Sequence, residues 1–361
     1  ELDLYQIQAP LTKIYSSASL AKFALKQLGI RRTPLSGASN TIGHIMTAYY
    51  GGRTECRVRK EPHQVTVLDF TSMYPTVTML LKLWPFIVAR WIDAEVVTEE
   101  VRDLLAHVDL AFLQDPCSWE GLTVMVMIKP VGDILPVRMD YKGGGESFNV
   151  GINPLSSDTP LWYALPDVIA SCILTGKAPE VLEAVKFVPK GMQPGLTRSE
   201  ILGIGIDPKT DNLIQLLVEE RQKIKQRMKG MDRSDPEHGR LESRAQAMKI
   251  LVNAMSYGIF IELNPEDHKT ALDVYGLGCF STEGNRFERP GHFFNPLLAV
   301  IITSASRLLL AMAEAWLQAR GVPHAYMDTD SVFAPVGYAN ELSEFFQPLN
   351  PYGIDIPILK L

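Results

Sequence analysis

Three stretches of the sequence predict an α+β fold. Residues 325–327 and 332–336 are short strand-like runs on either side of Asp328-Thr329-Asp330-Ser331, the pattern of an antiparallel hairpin with carboxylates at its tip. Residues 64–70, with Val65, Val67 and Leu68, read as a strand that ends at Asp69 and passes directly into a helix over 73–83, capped by Ser72 and closed before Pro85. Midway along the chain, 211–228 and 241–256 carry apolar residues at helical spacing (Leu213, Leu216, Leu217 and Ile224 in the first). They predict two antiparallel helices joined by the polar link 230–239.

The remaining elements follow in order. A helix over 19–28 stops at Gly29, and a loop-rich stretch runs from there to Tyr50. Between 93 and 190 the pattern is mixed, with a strand over 122–129, a break at Gly143-Gly144-Gly145 and a helix over 165–174 ending at Gly176; no chemistry is legible there. The apolar helix 296–319 is interrupted by Thr303, Ser304, Ser306, Arg307 and Glu314, which marks a buried core helix rather than a membrane span.

Composition sets wide bounds. A chain of 361 residues, 46% hydrophobic and 21% charged, has room for a large core organised as two or three units, or as one large catalytic body. The net charge of −6 rules out global basicity as a nucleic-acid signal. Two local stripes are basic: Arg53, Arg57, Arg59 and Lys60, and Arg221, Lys223, Lys225, Arg227 and Lys229. Either is a solvated face or a phosphate-binding one. Cys56, Cys117, Cys172 and Cys279 are scattered without a CxxC pair, against a zinc module or disulfide framework. With no charged-then-apolar leader visible, an intracellular, non-secreted protein is expected, with no membrane partner.

Two carboxylates at a hairpin tip either close an Asx turn or converge on a cation. Mg²⁺ suits them, because it takes oxygen ligands and leaves some of its shell to substrate phosphates. A site of this kind needs a carboxylate from elsewhere, and Asp69, at the end of a strand and the start of a helix, is the best placed. Its alternative role is a helix N-cap. If Asp69 is free, the backbone N–H groups of Ser72 and Met73 open toward an anion such as a triphosphate.

These residues carry a resemblance. Asp69-Phe70-Thr71-Ser72-Met73-Tyr74-Pro75-Thr76 resembles the D-x-x-S-L-Y-P-S motif of family B DNA polymerases, and Tyr326-Met327-Asp328-Thr329-Asp330-Ser331 resembles their Y-G-D-T-D-S motif, with Met327 where Gly is usual. Between them, Lys249, Asn253, Tyr257 and Gly258 match the family's fingers helix. Tyr257, however, stands eight residues after Lys249 rather than seven, which at about 100° per residue turns it past the Lys249 face unless a π-bulge intervenes. Arg221 and Lys225 lie where the family places cations that meet the incoming nucleotide. Tyr49-Tyr50-Gly51-Gly52-Arg53 is similar to the Y-x-G-G element that contacts template.

The resemblance implies a polymerase palm, an antiparallel sheet carrying the catalytic aspartates, with two-helix fingers. The chain would divide into an N-terminal segment over residues 1–60, palm over 61–200 with an insertion, fingers over 201–258 and palm again over 259–361. Proofreading and thumb domains are expected to be missing, since only 48 residues precede Tyr49 and few follow Ser331. Asp69, Asp328 and Asp330 would be catalytic. Two Mg²⁺ ions, or Mn²⁺, would be held by Asp69, Asp330 and the Phe70 carbonyl, with Asp328 auxiliary. Ser72, Met73, Tyr74, Arg221, Lys225, Lys249 and Asn253 would bind the deoxynucleoside triphosphate, and Tyr74 would reject a 2′-hydroxyl. Tyr49, Gly51, Gly52, Arg53, Tyr257 and Gly258 would meet primer-template DNA. The implied reaction is in-line attack of a primer 3′-oxygen on the α-phosphorus. Accessory replication partners are left open. A polymerase-fold subunit that binds nucleic acid without independent activity is the alternative.

Overall fold

Alternation along Val65–Phe70 decides how the central sheet sits: Leu68 and Phe70 are buried, while Val67 and Asp69 face outward. In the computed structural model, which describes residues 5–8, 10–36, 39–140, 143–144, 148–275 and 279–361, this strand belongs to a five-stranded antiparallel sheet. Its spatial order is Thr54–Cys56, Tyr326–Asp328, Ser331–Pro335, Val65–Phe70 and Leu359–Lys360. The registers run Thr54 to Asp328, Asp328 to Ser331, Ser331 to Asp69, and Asp69 to Lys360. Directly opposed residues project from the same face of a sheet, so these five side chains form one row across all five strands. Met327 and Val332, on the other face, are fully buried.

Beneath that face runs the helix Pro296–Gln318, buried on every side. It is long and apolar enough to cross a membrane, yet it lies wholly inside the protein. Its polar residues need internal partners. Thr303 and Ser306 donate to the carbonyls of Ala299 (3.1 Å) and Ile302 (2.8 Å) on their own helix. Arg307 and Glu314 form ion pairs with Asp167 and Arg53.

The two long helices are Leu213–Met228 and Pro236–Met255. Asn212 caps the first through its side chain, accepting from the Ile214 N–H at 3.0 Å. The second begins ahead of the expected 241, because Asp235 accepts from the Glu237 N–H at 2.8 Å and Pro236 occupies the first turn. A second antiparallel sheet, ordered Ala89–Val96, Glu180–Met192, Val124–Lys129 and Leu161–Ala164, carries the helix Leu165–Thr175, which ends at Gly176 in the left-handed region.

Leu263–Tyr275 pairs antiparallel with Cys279–Pro290, in a stretch for which no element was expected because its mostly polar, exposed strands give no core-facing alternation. Three expectations are corrected. The stretch before Tyr50 contains the helix Ser39–Thr47. Ser72 does not cap the helix Met73–Leu80: it sits at φ 48° with no side-chain cap bond, and Thr76 instead ties the start of the helix by donating to the Thr71 carbonyl at 2.6 Å. Pro85 opens a second short helix, Trp84–Val88, after the first has ended at Leu80. Of the expected glycine break, Gly145 lies outside the described residues.

Candidate active site

A cavity of about 450 Å³ opens beside the row of side chains on the sheet. Asp69, Phe70, Asp330 and Lys360 line it from the sheet, and Ser72, Met73 and Tyr74 from the start of the adjoining helix. Arg221 from the first long helix, with Lys249 and Asn253 from the second and Tyr257 just beyond, complete the opposite wall. Ten residues singled out in the sequence therefore meet in one place.

The sheet side is crowded with negative charge. The Asp330 carboxyl is pushed above the usual aspartate range by burial first, then by the neighbouring charges of Asp69 and Asp328, while Lys360 acts in the opposite sense. The Asp330 carbonyl is fixed by the Phe70 N–H at 2.8 Å, which ties the turn to the adjacent strand. Asp328 does not line the cavity and accepts from the hydroxyls of Thr54 and Thr329, each at 3.1 Å.

The helix side is crowded with positive charge. Burial lowers the pKa of Arg221, and its Nε has no hydrogen-bond partner among the described residues. Lys225 is lowered by burial, then by Arg221, Lys360 and Lys249. Other cations on the same helices are neutralised: Lys223 meets Glu220 at 4.0 Å, Arg227 meets Glu237 at 3.1 Å and Arg244 meets Glu220 at 3.7 Å. Arg221, Lys225, Lys249 and Lys360 form no ion pair among the described residues. Within the basic stripe, Lys223 and Arg227 are thus paired on the surface, while Arg221, which lines the cavity, and Lys225 and Lys229 form no ion pair among the described residues.

Tyr257 reaches the cavity without a π-bulge. The helix ends at Met255, Ser256 closes it by bonding back to the Val252 carbonyl, and Tyr257 departs with φ −151° and ψ −83°. Helical phase therefore no longer sets its direction. Its ring lies 4.9 Å from that of Tyr74, and its hydroxyl is hydrogen-bonded to that of Tyr49. Burial, with Tyr257 and Asp330 nearby, pushes the Tyr74 phenol up to about 12.

Several candidates lie elsewhere. Lys225 lines an adjoining cavity of about 610 Å³ that shares Arg221 and Lys249 with the first. Gly258 opens a short 3₁₀ turn and does not line the site. Gly51 and Gly52 border a separate cavity of about 360 Å³. Arg53 is corrected most plainly: it is 1% exposed and bonded to Glu55 and Glu314, so its guanidinium is not a surface contact for phosphate. Arg57 likewise meets Glu55 at 2.5 Å and Glu314 at 2.7 Å, which leaves Arg59 and Lys60 as the exposed cations of the first basic stripe without an ion pair among the described residues. Lys360 was missed, because a two-residue strand carries no periodic signal.

Among the described residues no three His, Cys, Asp or Glu side chains converge as a metal cage. Asp69 and Asp330 offer two carboxylates that repel one another. That donor set fits a hard cation whose shell is completed by water and phosphate oxygens, as Mg²⁺ requires.

No protein-family model matches the chain, and no curated protein matches it. Among solved structures, the orthorhombic crystal form of Phi29 DNA polymerase aligns at 16% identity with a TM-score of 0.46, over 88% of this chain and 48% of that one. Phi29 DNA polymerase complexed with primer-template DNA and incoming nucleotide aligns at 15% identity and a TM-score of 0.46, over the same shares. The family B DNA polymerase of the hyperthermophilic archaeon Pyrobaculum calidifontis aligns at 16% identity and 0.39, over 92% of this chain and 28% of that one. The chain spans about half or less of the length of these polymerases. Its functional reading rests on the chemistry of its own site.

Proposed function

We propose that this chain is the palm and fingers core of a template-directed DNA polymerase of family B, which adds deoxynucleotides to a primer 3′ end. The observation that carries the reading is the single cavity in which Asp69 and Asp330 face the unpaired cations Arg221 and Lys249. Each side alone is unfavourable, since like charges are held together without partners. A ligand relieving both must bring cation to the carboxylates and polyanion to the helices. A nucleoside triphosphate with its divalent ions is such a ligand.

In this reading the five-stranded sheet is the palm and the two long helices are the fingers. Mg²⁺ held by Asp69, Asp330 and the Phe70 carbonyl would lower the pKa of the primer hydroxyl and stabilise the pyrophosphate leaving group. Arg221 and Lys249 orient the triphosphate and neutralise charge that develops on it, in a wall where partial burial strengthens each contact. Lys225 extends that field into the adjoining cavity. Tyr74, with Tyr257 packed on it, forms the floor where a sugar would rest, and its bulk disfavours a 2′-hydroxyl. Pairing with template supplies base choice, so the protein needs no base-reading side chains.

Primer extension with Mg²⁺, comparing the wild type with Asp330→Ala, tests the proposal. A loss of about 10²–10³-fold is expected, the range for removing one preorganised electrostatic group. Equal extension by both proteins sinks the catalytic reading. Binding of primer-template without extension by either would support the non-catalytic subunit instead.

A further inference from the structure

Segment 49–53 turns its polar atoms inward. Arg138 donates to the Thr47 carbonyl at 2.9 Å and also to that of Tyr49. Arg307 donates to the carbonyls of Tyr50 and Gly51 at 2.9 and 2.5 Å, while its remaining nitrogens hold Asp167 at 2.7 Å each. The Arg53 side chain is paired with Glu314 on the same buried helix as Arg307. At the far end, the Arg53 carbonyl receives the Thr329 N–H at 2.8 Å, and Thr54 donates to Asp328 Oδ1 at 3.1 Å. A continuous set of bonds thus runs from the core helix, through this segment, to the Asp328-Thr329-Asp330 turn.

Gly52 is where the two meet. A Cβ built on it would lie 2.9 Å from both Cγ2 and Oγ1 of Thr329. Thr329 has little freedom to give way: its β-branched side chain is stiff, its backbone sits at φ 55°, and its N–H is held by Arg53. At Gly51 the same atom would meet nothing within 4 Å. The two glycines therefore have different reasons to be there, and that of Gly52 is close approach to the turn.

The geometry points to Gly52 and Arg53 as positioning residues for the 328–330 turn: the segment is a strut, anchored on the buried Arg53–Glu314 and Arg307–Asp167 pairs, that sets where the Asp330 carboxylate stands. Its consequence for turnover rests on the polymerase reading; its consequence for cation binding does not.

Gly52→Ala tests the strut, because Gly52 is exposed and has no left-handed backbone to lose. Mn²⁺ affinity, measured by electron paramagnetic resonance on the protein without DNA or nucleotide, should fall about ten- to hundredfold, the usual effect of disturbing a group that orients a metal ligand. In primer extension kcat should fall with it, while KM for the nucleotide holds. The double variant Gly52→Ala/Thr329→Gly, which removes the obstructing side chain, should recover Mn²⁺ affinity. Unchanged affinity in Gly52→Ala, or no recovery in the double variant, overturns the strut. A wild type that binds Mn²⁺ through Asp330 but extends no primer ends the polymerase reading and leaves the strut to be decided on affinity. A wild type that binds no Mn²⁺ overturns both.

Discussion

At the scale of single residues, the site stores electrostatic cost that a ligand would release. Asp330 has a raised pKa in the fold, so its favourable protonated form contributes stability fully below the ordinary aspartate value of 3.8, and this is lost as pH rises through the raised value. At neutral pH, without divalent ions, the wild type carries the whole penalty. Asp330→Asn should therefore melt at a higher temperature than the wild type at pH 7, and the gap should close as the pH falls toward 3.8. Added Mg²⁺ should raise the melting temperature of the wild type and not that of the variant. Scanning calorimetry at several pH values decides it; identical melting at pH 7 without metal would refute the stored cost. Asp69 was legible because a strand end and a helix start are both local signals. Arg53 was not: Glu55 is a partner only two residues on, but Glu314, the partner that holds the guanidinium inside the core, is 261 residues away.

At the scale of elements, the two long helices were legible from periodicity, and their starts are explained by Asn212 and Asp235. What periodicity could not say is which cations point inward, since Arg221, Lys223, Lys225 and Arg227 share one helix. Nor could it place Tyr257, because an argument from helical phase fails once the helix has ended at Met255. Pairing now ranks the cations. Lys249→Ala, which removes an unpaired charge from the cavity wall, should lower kcat/KM for nucleotide incorporation by roughly ten- to hundredfold, the worth of a charge-assisted bond. Lys225→Ala, one cavity removed, should cost less, and Lys223→Ala, already neutralised by Glu220, should leave incorporation unchanged. Single-nucleotide kinetics on the three variants checks the order. A Lys223→Ala defect as large as that of Lys249→Ala would mean that the stripe acts as a diffuse field rather than through its inward members.

At the scale of the whole molecule, the central helix Pro296–Gln318 joins regions of the chain that sequence alone kept separate. Its apolar character was legible, but the partners of its buried charges were not. Arg307 reaches Asp167, on the helix packed against the second sheet, and both side chains are 2% exposed. An ion pair taken this far out of water gains little over an apolar pair of similar size, yet losing one member leaves a charge with no solvent to receive it. Asp167→Asn should therefore destabilise the protein by about 3–5 kcal/mol, and the double replacement Asp167→Leu/Arg307→Met should recover most of that stability. Denaturant unfolding of the two variants measures the difference. Recovered stability in the double variant should come with reduced turnover, because the carbonyls of Tyr50 and Gly51 then lose the Arg307 donor that anchors segment 49–53, a donor that Asp167→Asn retains. A double variant that has both stability and full turnover would assign Arg307 to the core alone; one that has only stability separates holding the fold together from holding the site in place.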